Sequence, residues 1–196
     1  MNEIKDALIG FTIIKGRLPC PADGTIPTVP GVANGAGEKK LTCAMGANGG
    51  VLPCVTLGIS ETDAWGRRFT YRVTPDFADA ISANTFTSNC PVGTTAAQAS
   101  FALCSSGNLD IKTAATGGTN VATDVPAAVV SHGKNGLGAY TPDGMQIGTP
   151  ANDEEENTDN NNTFVSHTPT PTFDDLVVWI SPNILLNRMV TAGKLP

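Results

Sequence analysis

His132 and His167 are the only imidazoles in the chain, and each sits among turn-forming residues. Imidazole is the usual proton carrier near neutral pH, so acid–base or nucleophilic machinery would centre on one of them. No Gly-x-Ser-x-Gly elbow accompanies them, and sequence order pairs neither with a cysteine. His132-Gly133-Lys134-Asn135-Gly136 superficially resembles a phosphate loop. That motif needs a glycine where Ala128 stands and Ser or Thr where Asn135 stands, so the segment reads as a turn at a strand end. Asp174-Asp175 is a carboxylate pair, but neighbours on a strand point to opposite faces, and shared acid–base work by them is not expected. The chain is expected not to be an enzyme.

The acidic segment offers different chemistry. Asp153, Glu155, Asn157, Asp159 and Asn161 recur at every second position, the ligand spacing of an EF-hand loop. Thr158 then occupies the required glycine position and Phe164 that of the bidentate glutamate, so an EF-hand is excluded. Concentrated oxygens still suit a hard cation such as calcium. A plain solvated acidic loop is the other reading, and both stay open. Trp65 and Trp179 could form a sugar-binding face, but both lie in strongly patterned segments and are expected in the core.

Cys20, Cys43, Cys54, Cys90 and Cys104 include no Cys-x-x-Cys, which argues against a zinc knuckle or a thioredoxin-type motif. Spread cysteines in a weakly charged chain suit an oxidising compartment. Unpaired buried thiols in a reducing one are the other reading. Five is odd, so at least one thiol stays free or pairs between chains.

The positioning elements follow from periodicity. Ile4, Leu8, Phe11 and Ile14 make one apolar helical face over 2–15, closed by Gly16. A Gly/Pro/Asn-rich loop runs to about Gly50, and a Cys20–Cys43 bridge would restrain it. Asp63-Ala64-Trp65-Gly66 marks a turn, 68–73 alternates as a half-buried strand, and 76–83 suits a short helix. Residues 109–112, 127–131 and 164–166 read as strands, while 132–163 is almost all turn formers and acids with no core of its own. The run 173–180 is apolar enough for a sheet centre. Ser181 then caps a last helix with Pro182 at its first position and Gly193 just past its end.

Composition narrows the class. With 196 residues the chain fits a single domain, 1–196, with a core of its own. Its 12 Lys and Arg against 18 Asp and Glu give a net charge of −6. Asp153, Glu154, Glu155, Glu156 and Asp159 supply most of that excess. Without a basic stripe, nucleic-acid binding is excluded. No apolar run approaches the ~18 residues that a membrane span needs.

Four groups of motifs stand out: Ala7-Leu8-Ile9-Gly10-Phe11 with Gly16-Arg17-Leu18-Pro19-Cys20-Pro21-Ala22, Gly50-Val51-Leu52-Pro53 with Thr56-Leu57-Gly58, Asp63-Ala64-Trp65-Gly66 before Phe69-Thr70-Tyr71, and the block 173–183. Together they resemble the soluble part of prepilin-type proteins, the type IV pilins and type II secretion pseudopilins, whereas 76–124 matches nothing. The resemblance implies an α+β, pilin-like fold: an N-terminal helix packed on an antiparallel sheet, long loops and a short C-terminal helix. Residues 1–16 would be the C-terminal half of the pilin helix, its apolar membrane-inserted half preceding Met1.

The implied function is a minor pilin or pseudopilin of a type IV pilus or type II secretion filament. Its partners would be other pilin subunits, joined through the missing half-helix, and the inner membrane would anchor the full-length protein in the envelope, facing the periplasm or exterior. Some pseudopilins bind calcium in a loop after the main sheet; here 132–163 corresponds, with Glu156, Asn157 and Asp159 as the implied ligands and no other cofactor. The resemblance also makes Cys54 the odd thiol, leaving Cys20–Cys43 and Cys90–Cys104 as bridges. The rival is a secreted adhesin or carbohydrate-binding module.

Overall fold

Helix α1, Asn2–Lys15, ends at Gly16, whose φ of 72° lets its N–H turn back to the Thr12 carbonyl at 2.8 Å. A β-carbon at Gly16 would lie 2.1 Å from the Gln98 carbonyl oxygen, so glycine is required twice over. The helix buries Ile4, Leu8 and Thr12, and the Thr12 hydroxyl satisfies itself on the Leu8 carbonyl at 2.7 Å. This corrects the expected stripe. At about 100° per residue, Phe11 falls about 60° and Ile14 about 120° from the Leu8 direction. Phe11 is accordingly half-buried and Ile14 is 73% exposed.

The computed structural model describes residues 1–28, 36–39, 50–81, 90–91, 93–96 and 98–195. A four-stranded antiparallel sheet has the order β1-β2-β5-β7: β1 is Gly50–Val51, β2 Thr70–Val73, β5 Ala127–Ser131 and β7 Leu176–Ile180. A second sheet has the order β4-β3-β6: β3 is Leu109–Lys112, β4 Asn120–Val125 and β6 Thr163–Val165. The β3–β6 pair is parallel, with Ile111 beside Phe164, so the architecture is α+β but not purely antiparallel. Short helices α2 (Cys54–Leu57), α3 (Pro75–Ala78) and α4 (Asp153–Glu156) punctuate the loops. Helix α5, Pro182–Thr191, follows Ser181 in the N-cap position, though the Ser181 side chain makes no capping hydrogen bond, and Gly193 takes a φ of 67°.

Alternation on the central strand sorts the core into two layers. Ala127 and Val129 of β5 join Ile4 and Leu8 of α1, Tyr71 and Val73 of β2, Ile180, and Leu185 and Met189 of α5. Ala128 and Val130 face the other way, against Leu109, Ile111, Val125, Phe164 and Val177. The four-stranded sheet is therefore covered by helices on one face and by the smaller sheet on the other.

Several expectations change. The run 173–180 does not build the sheet centre: β7 is an edge strand, apolar because both its faces are covered, Val177 by one layer and Ile180 by the other. Strand β4 was not foreseen, since four of its six residues are exposed. The 132–163 segment does contribute to the interior, through Ala139, Glu154 and Asn157. Trp65 is 44% exposed in the 63–66 turn instead of buried, and Trp179 is half-buried against the second layer. The short helix expected over 76–83 is α3, and residues 82–89 lie outside the described set.

Cys90 and Cys104 form a disulfide, their α-carbons 5.1 Å apart. Cys20 is disulfide-bonded as well; Cys43, its expected partner, lies outside the described residues. Cys54 is buried and makes no disulfide. Among the described residues no helix is long and apolar enough to cross a membrane.

Candidate metal centre

Strand β5 ends at Ser131, and the chain reverses at once through His132-Gly133-Lys134-Asn135-Gly136, the Gly136 N–H donating to the His132 carbonyl at 2.9 Å. Gly133 has a φ of 55°, and a β-carbon there would lie 2.5 Å from Asp174 Oδ1, so this turn approaches Asp174 as only glycine can. Asn135 then reaches both acidic elements. Its backbone N–H donates to Asp174 Oδ2 at 3.0 Å, and its side-chain amide donates to Glu154 Oε1 at 2.8 Å. The Asp174 N–H also donates to Glu154 Oε1, at 3.1 Å.

These bonds gather one oxygen each of Glu154, Asp174 and Asp175 within 4.8 Å of one another. Glu154 comes from α4, and the two aspartates from the segment just before β7. Glu154 is 3% and Asp175 2% exposed. Asp174 Oδ1 and Asp175 Oδ1 are both buried without a hydrogen-bond partner. Among the described residues the nearest group able to carry positive charge is His132: its Nδ1 stands 3.5 Å from Asp175 Oδ1 without a hydrogen bond, and its Nε2 lies 2.7 Å from Thr70 Oγ1. Among the described residues no lysine or arginine forms an ion pair with any of the three carboxylates.

Two unit charges about 4.8 Å apart repel by about 3 kcal/mol at an effective dielectric of ~20. A divalent cation removes that repulsion and supplies partners for the orphaned oxygens. Hard oxygen donors of this kind suit calcium or magnesium, and the donor set fits such an ion.

Of the expected ligands Glu156, Asn157 and Asp159, neither acid belongs to this cluster. Asn157 is buried, but both ends of its amide are occupied: Nδ2 donates to the Val165 carbonyl and to Asp175 Oδ2, while Oδ1 accepts the Val165 N–H at 2.8 Å. It brackets β6 to Asp175 and so positions a candidate ligand without being one. Glu156 and Asp159 both accept hydrogen bonds from the Asn161 amide on the loop surface. The expectation that Asp174 and Asp175 point apart also fails, because they precede the strand and do not lie on it. Glu154 was unmarked in the sequence, being one acid among four.

His167 stacks on Phe173 at 3.9 Å and contacts Asp153 at 3.2 Å. Elsewhere Arg68, buried, bonds the Gly24 and Ile26 carbonyls and pairs with Glu61 at 3.2 Å, tying the 23–28 loop to the sheet.

Comparison with family models, with curated proteins and with solved structures finds no match for this chain.

Proposed function

We propose that this chain is the globular part of a pilin-like filament subunit, a minor pilin or pseudopilin of a type IV pilus or type II secretion filament, and that it catalyses nothing. The observation that carries this reading is α1: an N-terminal helix whose Ile4–Leu8–Thr12 stripe packs into the core of a four-stranded antiparallel sheet. Disulfides at Cys20 and at Cys90–Cys104 support an oxidising compartment, the periplasm or the exterior. Neighbouring filament subunits and the inner membrane are the proposed partners. Tagged at its C-terminus in its own cells, the protein should co-fractionate with sheared filaments or with an envelope secretion complex. Recovery solely as a secreted monomer overturns the assignment.

Within this reading, Glu154, Asp174 and Asp175 would hold calcium, which would pin α4, the 132–136 turn and the start of β7 together. An ion bound only by the folded chain stabilises it by about 2.7 kcal/mol at a hundred times its dissociation constant. The melting temperature should therefore rise between EDTA and millimolar calcium in the parent, and not in Glu154→Gln/Asp175→Asn. An equal melting temperature in both buffers rejects the site.

An adhesin or carbohydrate-binding module is the second reading, favoured by the exposed indole of Trp65. Binding on a glycan array that Trp65→Ala abolishes would select it.

A further inference from the structure

The loop from α4 to β6 holds Asp159-Asn160-Asn161-Asn162-Thr163, which includes the only Asn-x-Ser/Thr tripeptide in the sequence. That tripeptide is the acceptor pattern for asparagine-linked glycans, provided it is exposed. Both ends of the loop are anchored. Asn157 is fastened to Val165 at one end. At the other, Asn162 accepts Arg72 Nη2 on its side chain at 3.2 Å and the Asp110 N–H on its carbonyl at 2.8 Å. Residues 159–162 between them are exposed.

At the tip, Asn161 Oδ1 accepts the Thr163 N–H at 2.5 Å, and Asn161 Nδ2 donates to Asp159 Oδ2 at 2.7 Å and to Glu156 Oε1 at 3.0 Å. An amide nitrogen is a poor nucleophile because its lone pair is delocalised into the carbonyl. The hydrogen bond at Oδ1 polarises that carbonyl and makes the N–H more acidic. The two carboxylates on Nδ2 hold it in a fixed orientation through charge-assisted bonds. The contact at Oδ1 favours loss of the proton that glycosyl transfer must remove.

We propose that Asn161 is an acceptor site for an asparagine-linked glycan, donated by an oligosaccharide carried on a membrane lipid diphosphate. The idea rests on the exported location of the proposed function, not on filament assembly. In the step, Nδ2 attacks the anomeric carbon of the sugar. The N–C bond forms as the bond from that carbon to the diphosphate oxygen breaks. Lipid diphosphate leaves with the electron pair, and one amide proton passes to a base of the transferring enzyme. The remaining N–H can keep one carboxylate contact.

The test expresses the full chain with an added export signal in a bacterial host that carries an oligosaccharyltransferase and its lipid-linked glycan, beside a known acceptor protein. Intact mass should rise by one glycan, mapped to Asn161. Asn161→Gln and Thr163→Val should abolish the gain, Thr163→Ser should retain it, and Asp159→Asn should lower occupancy several-fold. Circular dichroism and the Cys90–Cys104 bridge verify that each variant folds. An unmodified chain beside a modified control overturns the proposal, as does a mass gain that survives Asn161→Gln. Because export is supplied, a failure here is separate from any failure of the filament reading.

Discussion

Asp23 accepts hydrogen bonds from Lys39, at 2.7 Å, and from both the hydroxyl and the backbone N–H of Thr25. The Lys39 ammonium is the largest influence, and it holds the Asp23 carboxyl at about 2, below the ordinary 3.8. A depressed folded-state value means that the unfolded chain binds the proton more readily. The stabilisation is therefore fully present above the ordinary value and is lost as pH falls through about 2. Thermal melts of the parent and Lys39→Ala should differ near neutral pH and converge toward pH 2; parallel curves throughout would refute the linkage. Cys54 behaves oppositely, since burial pushes its thiol pKa up, and a protonated thiol is a poor nucleophile. With disulfides intact, one thiol per chain should react, at least about tenfold faster in denaturant than in the folded state. A second reactive thiol would break the expected Cys20–Cys43 pairing.

At the scale of elements, α1 separates burial from mere apolarity. Leu8→Ala opens a cavity in the main layer and should cost about 3 kcal/mol in denaturant unfolding. Ile14→Ala, on the exposed side, should stay within about 0.5 kcal/mol. Equal costs would contradict the packing. The ends of α1 and α5 were legible in the sequence because Gly16, Pro182 and Gly193 act through local backbone preferences. The edge position of β7 was not legible, since an apolar run records only that both faces are covered, not how many neighbours a strand has. Asp174 and Asp175 were misread for a related reason. Alternation applies only once a strand has begun, and β7 begins at Leu176, one residue beyond them. Glu154 could be distinguished from its acidic neighbours only by the folded turn that brings Asn135 to it.

At the scale of the molecule, the Cys90–Cys104 bridge joins a segment whose described residues form no helix or strand, with Phe101 packed on Phe77 at a centroid distance of 4.7 Å. The bridge closes a short loop, a sequence separation of 14. Chain entropy then assigns it roughly 3 kcal/mol, acting mainly by restricting the unfolded state. Cys90→Ser/Cys104→Ser should lose roughly that much stability and show a larger denaturant slope, because the unfolded chain expands. An unchanged slope and midpoint would place the restraint elsewhere.

Strand β5 is sandwiched, all five of its residues being buried and its side chains shared between the two layers. Its interior amides have no local route to solvent, since opening them means parting β2 and β7 and both hydrophobic layers together. In hydrogen–deuterium exchange they should be the last to take up label, at a rate set by global unfolding alone. The amides of Val129 and Val130 thus give a clock for the whole fold, against which the earlier opening of β4 can be timed.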